Sequence, residues 1–106
     1  MVIVETSVFT RQVQKLLSAE EYRYLQIELS IRPDIGVIIP GSGGLRKVRW
    51  GLRGRGKRGG LRVIYYWAVE QDRLLMLLMY PKNVQDDLSP AQLKILKQIV
   101  EEEYYE

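Results

Sequence analysis

The sequence predicts one α+β domain, with a mainly antiparallel sheet and helices packed against it. The chain has 106 residues, which is the length of one small domain. Its composition, 46% hydrophobic and 27% charged, is that of an ordinary globular protein. Apolar residues alternate in some segments and recur at helical spacing in others, in the order β-α-α-β-β-β-α. We therefore expect residues 1–106 to form a single compact domain.

The N-terminal third is predicted to contain one strand and two helices. Residues 2–5 are mostly apolar and β-branched, which favours a strand. From residue 9 to residue 17 the apolar positions have helical spacing, so a short helix follows. Ser18 and Glu21 form a capping-box pattern that predicts the start of a second helix. Pro33 ends this helix, because the residue before a proline disfavours the helical conformation.

The second half of the chain is predicted to supply most of the sheet. Residues 33–44 contain six glycines and prolines and are predicted to be an irregular connector. Three strands follow, at residues 46–50, 61–69 and 73–80, because these segments alternate or are rich in β-branched and aromatic residues. The last of them is apolar on both faces, which places it inside the sheet. Only residues 70–72 join the last two strands, and so short a connection makes them antiparallel.

A C-terminal helix is predicted from about residue 90 to residue 105. Ser89 is a suitable N-cap, Pro90 suits the first turn, and Gln92 completes a capping box. Four apolar residues share one face of this helix: Leu93, Leu96, Ile99 and Val100. We expect that face to pack on the sheet.

The composition excludes several kinds of site. The chain has no cysteine and no histidine, which excludes disulfides, a Ser-His-Asp triad and a histidine-ligated zinc site. Any catalysis must therefore use carboxylates, lysine, arginine, tyrosine or serine. The longest apolar run, residues 74–79, is too short to cross a bilayer, and residues 1–5 lack the pattern of a signal peptide. These features predict no membrane contact and agree with a cytoplasmic location.

Half of the basic residues lie between residues 46 and 62, a stretch we call the basic segment. It contains no acidic residue and eight basic ones: Arg46, Lys47, Arg49, Arg53, Arg55, Lys57, Arg58 and Arg62. Such clustering is typical of proteins that bind a polyanion, most often nucleic acid. Exposed aromatic side chains nearby would stack on RNA bases, and the candidates are Trp50, Tyr65, Tyr66 and Trp67. Strand alternation assigns most of these rings to the core.

Two patterns that resemble functional motifs are interpreted as structural. Residues 54–59 match G-x-G-x-x-G, but a dinucleotide site needs a strand before the motif and a helix after it, and here a strand follows. Asp86 and Asp87 form a carboxylate pair of the kind found in acid–base or metal sites. They stand just before the C-terminal helix, where negative charge stabilises the helix dipole, so we interpret them as structural.

Three stretches of the sequence together carry a family resemblance. They are residues 40–50 (PGSGGLRKVRW), residues 54–66 (GRGKRGGLRVIYY), and Tyr-Pro-Lys-Asn at 80–83 with Asp-Leu-Ser at 87–89. These stretches closely resemble the RelE/HigB toxins of bacterial type II toxin–antitoxin systems. The predicted element order and the chain length fit that family as well.

The resemblance implies a metal-independent endoribonuclease that cuts mRNA in the ribosomal A site. In this family the 2′-OH of the RNA attacks the adjacent phosphate, which leaves a 2′,3′-cyclic phosphate and a 5′-OH. By position, Lys47 and Arg49 match two bases on the strand before the basic loop. Arg62 matches the arginine that stabilises the transition state, and Lys82 matches the residue that positions the scissile phosphate. The implied partners are a cognate antitoxin, the ribosome and mRNA.

The tyrosine that serves as general base in RelE has no counterpart in residues 84–88. Tyr80 and Tyr66 are the nearest substitutes, and the surrounding cations are expected to lower the pKa of such a tyrosine. The remaining members of the basic segment are expected to bind RNA or the ribosome: Arg46, Trp50, Arg53, Arg55, Lys57 and Arg58.

Two other functions stay open at the level of the sequence. A non-catalytic RNA- or ribosome-binding module explains the basic segment equally well and the missing tyrosine better. A relative of the ParE toxins, which share the fold and inhibit DNA gyrase, also fits the fold, although such chains generally lack this basic set. Salt-sensitive RNA binding without scission would indicate the first, and gyrase inhibition the second.

Overall fold

Eight elements of secondary structure make up the part of the chain that the structure describes. A computed structural model describes residues 1–51 and 60–104. The strands are Val2–Glu5 (β1), Val37–Ile38 (β2), Leu45–Trp50 (β3), Leu61–Ala68 (β4) and Arg73–Pro81 (β5). The helices are Ser7–Leu16 (α1), Ala19–Ile31 (α2) and Pro90–Tyr104 (α3). Within these residues no helix has both the length and the apolar character needed to span a bilayer.

The strands form one five-stranded sheet in the order β1-β5-β4-β3-β2. β1 pairs with β5 in parallel, and every other neighbouring pair is antiparallel. The sheet is therefore mainly antiparallel, and β5 lies inside it, as the sequence predicts. The predicted α+β class is confirmed.

The short edge strand β2 was not predicted from the sequence. Val37 and Ile38 pair with β3 inside the stretch expected to be an irregular connector. Two exposed residues at a sheet edge carry no alternation that would reveal a strand. The hydroxyl of Tyr65 holds the connector in place, because it donates to the carbonyl oxygen of Pro33 (2.7 Å) and accepts from the N–H of Gly36 (2.9 Å). A Cβ at Gly36 would lie 2.8 Å from the Tyr65 ring, so the close approach requires glycine.

The sheet carries a separate apolar core on each face. On one face, Phe9 of α1 and Leu25 of α2 pack with Val63 of β4. On the other face, Leu96 of α3 packs with Ile64 of β4. Burial of each such side chain stabilises the fold by about 1.5–3 kcal/mol. β4 therefore supplies both cores through its alternation, which leaves little freedom for Arg62, the second residue of the strand.

The aromatic residues beside the basic segment lie mostly on the first of these faces. Tyr65 is fully buried there, and Trp50 and Trp67 pack against the same core as half-buried side chains. The prediction that most of these rings belong to the core is confirmed.

Both predicted capping boxes are present. The N–H of Glu21 donates to Ser18 Oγ (3.1 Å), and the N–H of Ser18 donates to Glu21 Oε1 (2.8 Å) at the start of α2. The same reciprocal pair joins Ser89 and Gln92 at the start of α3 (3.1 and 3.0 Å). The second cap fixes where α3 begins, and so it also fixes the end of the segment that connects β5 to α3.

Candidate active site

Three of the predicted catalytic side chains form a row across the sheet. Arg49 of β3 stands opposite Arg62 of β4, and Arg62 stands opposite Tyr80 of β5. Neighbouring strands are about 4.8 Å apart, so residues far apart in the sequence become adjacent here. Lys47 lies two residues before Arg49 on β3 and shares its face of the sheet. We call these four residues, three cations and one neutral tyrosine, the cationic row: Lys47, Arg49, Arg62 and Tyr80.

Arg62 is the buried member of this row. Its side chain is only 4% exposed, and its Nε and Nη2 both donate to Oδ1 of Asp86, at 3.2 and 3.0 Å. A buried guanidinium requires a counterion because the loss of hydration is otherwise too costly. Asp86 supplies that counterion, and the apolar residues that follow in β4 fix the position of the charge.

Lys47 has an acidic partner from the same connecting segment. Its Nζ donates to Oδ1 of Asp87 at 2.6 Å. The hydroxyl of Tyr80 donates to the backbone carbonyl of Asp86 at 3.2 Å. The segment between β5 and α3 therefore lies against the cationic row and brings two carboxylates to it.

The sequence analysis missed these two ion pairs. Their place before α3 predicts that Asp86 and Asp87 stabilise its dipole, but their side chains bind Arg62 and Lys47. The partners are far apart in the sequence, and the signal available for this pairing is that the acids follow within six residues of the strand that ends beside Arg62. Their role belongs to the site and not only to the helix.

Burial raises the pKa of Tyr80, and the nearby Asp87 carboxylate raises it further. The charge of Arg62 lowers this pKa, but it does not offset the other effects. The cations therefore do not bring the pKa of Tyr80 below its ordinary value, and that expectation is wrong for this candidate base. At neutral pH the hydroxyl stays protonated and serves as a hydrogen-bond donor to the segment that carries Asp86.

Tyr66, the other candidate base, lies away from the row. It is four residues beyond Arg62 on β4, or roughly 13 Å along a strand. Its ring stacks on Tyr104 of α3, with centroids 5.6 Å apart and an angle of 29° between the planes. The structure does not bring Tyr66 to Arg62.

The other predicted site residues occupy different surroundings. Lys82 is exposed, and its N–H donates to the carbonyl oxygen of Gly60 (3.1 Å), so it lies beside the start of β4. Arg46 is on the opposite face of β3 from the row, where its guanidinium lies 6.0 Å from the Trp67 ring and donates to the carbonyl of Gly36. Trp50 shares that opposite face. Four predicted RNA-binding residues lie outside the described residues: Arg53, Arg55, Lys57 and Arg58.

Replacing Lys47 with alanine is expected to raise the pKa of Asp87 toward its ordinary value. The hydrogen bond and the charge of the Lys47 ammonium hold the pKa of this carboxyl below its usual range. A carboxyl with a lowered folded-state pKa stabilises the fold above its unfolded pKa, and this stabilisation is lost as the pH falls through the folded pKa. An NMR titration of the Asp87 carboxyl measures the pKa directly. Lys94→Ala is the control, and an unchanged pKa in Lys47→Ala would contradict the ion pair.

Comparison with known proteins identifies the fold. No family model matches the sequence. A free double arginine-to-alanine mutant of the Escherichia coli toxin RelE has a TM-score of 0.60 at 17% identity, over 80% of this chain and 86% of RelE. This is the RelE fold. The isolated RelE toxin aligns over 92% of this chain and 97% of its own, with a TM-score of 0.57 at 18% identity.

A third similar structure is that of a complex. The intact E. coli RelBE toxin–antitoxin complex has a TM-score of 0.58 at 18% identity, over 76% of this chain and 94% of the matched chain. The likeness concerns the fold at this level of identity. The roles of the residues on the RelE-like sheet are therefore argued from their own positions in this chain.

Proposed function

We propose that this protein is the toxin of a toxin–antitoxin pair and an endoribonuclease that cuts mRNA in the ribosomal A site. The cationic row carries the proposal, because it gathers Lys47, Arg49 and Arg62 on one face of a RelE-like sheet. Three cations at neighbouring positions match the repeated negative charge of an RNA backbone.

The proposed reaction is a transfer within the RNA. The 2′-oxygen forms a bond to the adjacent phosphorus while the bond to the 5′-oxygen breaks. The 2′-OH loses its proton and the leaving 5′-oxygen gains one, so the products are a 2′,3′-cyclic phosphate and a 5′-OH. Negative charge builds on the phosphate oxygens in the transition state, and preorganised donors stabilise it there.

Each cation has a proposed part in this reaction. Arg62 stabilises the developing charge, since its burial holds the guanidinium in one place. Lys47 and Arg49 bind flanking phosphates from β3, and Lys82 positions the scissile phosphate from the end of β5. Because the pKa of Tyr80 is raised, we assign Tyr80 to holding the segment that carries Asp86 and not to removing the proton of the 2′-OH.

The ends of the cut RNA test this chemistry. Message cut during translation in a purified system is labelled at its new 5′ ends with polynucleotide kinase, with and without prior phosphatase treatment. Transfer by the 2′-OH leaves 5′-OH ends that accept label directly. New 5′ ends that require phosphatase would show a different reaction and would contradict the proposed mechanism.

The bases between β3 and β4 are proposed to bind ribosomal RNA or the message through phosphate contacts. Neutralising Arg53, Arg55, Lys57 and Arg58 together is expected to weaken ribosome binding and to flatten its salt dependence. Each lost contact reduces the slope of log K against log salt by roughly 0.7–0.9. Binding measured across a range of salt concentrations gives that slope.

A matched variant controls for net charge in this measurement. Neutralising four exposed bases elsewhere (Arg11, Lys15, Lys94 and Lys97) changes the total charge by the same amount. This variant is expected to keep most of the slope. Equal flattening in both variants would mean that net charge, and not the basic segment, controls binding.

The proposed partner is a cognate antitoxin. A toxin–antitoxin complex is among the solved structures that share this fold, and it supports this part of the proposal. An acidic or helical segment of that partner would cover the exposed cations Arg49 and Lys82 and exclude RNA. Such a pair would act in the cytoplasm, where the ribosomes are.

A second function is favoured by one observation. The raised pKa of Tyr80, the one tyrosine of the row, makes it a poor acceptor for the proton of the 2′-OH. A non-catalytic RNA- or ribosome-binding module needs none. Salt-sensitive binding to ribosomes with no strand scission would favour that function over the nuclease.

A further inference from the structure

The two ion pairs of the site are asymmetric in the same direction. Arg62 is 4% exposed and its partner Asp86 is 61% exposed, while Lys47 is 24% exposed and its partner Asp87 is 78% exposed. In each pair the cation is held by the sheet and the acid faces water. An exposed carboxylate is hydrated as soon as it leaves its partner, so the acid is the member that can move away once another anion takes its place beside the cation.

A carboxylate and a phosphate compete for the same donors. Asp86 accepts from Nε and Nη2 of Arg62, which form one edge of the guanidinium. Phosphate oxygens bind such an edge in the same manner. Asp87 Oδ1 likewise accepts a hydrogen bond from Lys47 Nζ at 2.6 Å. Two neighbouring phosphates of an RNA strand would need the positions that the two carboxylates now fill.

The backbone of the connecting segment is held by hydrogen bonds that do not involve the two carboxylates. The Tyr80 hydroxyl donates to the Asp86 carbonyl, and Gln85 Nε2 donates to the Asp87 carbonyl at 3.0 Å. Gln85 also donates to Gln92 Oε1 of α3 at 2.8 Å. These bonds hold the main chain beside the row, so the two side chains can rotate toward water without displacement of the segment.

We propose that Asp86 and Asp87 are an internal competitor for RNA phosphates. In the free protein they occupy Arg62 and Lys47, and the RNA backbone displaces them when it binds. Single small anions then bind weakly, because they must break an existing ion pair, whereas a strand that presents several phosphates replaces both carboxylates at once. This inference rests on the proposed RNA-cleaving function, whose substrate supplies those phosphates.

Inorganic pyrophosphate is the probe that tests this competition without RNA chemistry. Its affinity is measured by NMR titration for the wild type, Asp86→Asn, Asp87→Asn and the double variant. Each single variant removes one competing ion pair and is expected to bind pyrophosphate about 5-fold more tightly than the wild type. The double variant is expected to bind it about 20-fold more tightly. These factors correspond to the usual strength of such ion pairs. The controls are Glu101→Gln and Glu101→Gln/Glu102→Gln, which change the net charge equally on the exposed side of α3.

The outcomes separate competition from a positioning role. Tighter binding by the Asp variants than by the Glu controls supports the proposal. Equal or weaker binding would overturn it, because the acids would then orient the cations for the ligand. If Asp86→Asn does not fold, Asp87→Asn decides alone, since Lys47 is accessible enough to be hydrated without its partner.

Cleavage of translated mRNA by the same proteins tests the underlying function separately. Tighter pyrophosphate binding by the Asp variants, with no cleavage by any protein, would contradict the nuclease function and leave the competitor intact. Cleavage by the wild type, with pyrophosphate affinity unchanged in the Asp variants, would contradict the competitor alone.

Discussion

Replacing Arg62 with alanine is expected to lower the rate of mRNA cleavage by about 10²–10³-fold, as for other single preorganised donors to a developing negative charge. The Arg62 side chain is 4% exposed, and the residue lies in register with Arg49 and Tyr80 across three strands. The guanidinium therefore holds its position in the sheet when the phosphate replaces Asp86 as its partner. The single-turnover cleavage rate on programmed ribosomes, at saturating protein, measures the effect on the chemical step.

Two variants control this measurement. Arg11→Ala removes the same charge from an exposed position on α1 and is expected to leave the rate unchanged. Arg62→Lys keeps the charge but loses the planar pair of donors, and its rate is expected to lie between those of the wild type and Arg62→Ala. Asp86 is 61% exposed and stays hydrated without its partner, so Arg62→Ala is expected to fold. Equal rates for Arg62→Ala and the wild type would remove Arg62 from the mechanism.

Replacing Tyr65 with alanine is expected to lower the free energy of unfolding by about 3–5 kcal/mol, as for other buried aromatic residues. The side chain is fully buried in the core beneath α1 and α2. Its hydroxyl also bonds the main chain at Pro33 and Gly36, which positions the connector that leads to β2. Urea denaturation followed by circular dichroism gives the free energy.

The hydroxyl contribution is separated by Tyr65→Phe. This variant keeps the ring and leaves the N–H of Gly36 without its acceptor, at an expected cost of about 1–3 kcal/mol. Tyr24→Phe, at an exposed position on α2, is the control and is expected to change the stability by less than about 0.5 kcal/mol. A Tyr65→Phe protein as stable as the wild type would contradict the anchoring role of the hydroxyl.

The order of the long elements was predictable because their signals are local. The capping boxes at Ser18 and Ser89 mark where α2 and α3 begin, and both are confirmed by reciprocal hydrogen bonds. The alternation of β4 assigns its residues to two faces, and both cores follow that assignment. The two residues of β2 are too few to show a period, so only the pairing with β3 reveals them.

The site was only partly predictable because it depends on register and on long-range pairing. Lys47 and Arg49 share a face by alternation alone, which the sequence shows. Their alignment with Arg62 requires the register of β3 on β4, which no local pattern encodes. Asp86 reaches the row only because the segment after β5 lies against the sheet, so its pairing with Arg62 required the structure.

Primer extension on a message under translation tests most directly whether the cationic row cuts RNA. The wild type, Arg62→Ala and a reaction without ribosomes are compared in one purified system. We expect wild-type cuts at codon positions, none without ribosomes, and few with Arg62→Ala. An intact message despite arrested translation, or the same cuts with Arg62→Ala as with the wild type, would contradict the proposed function of the row.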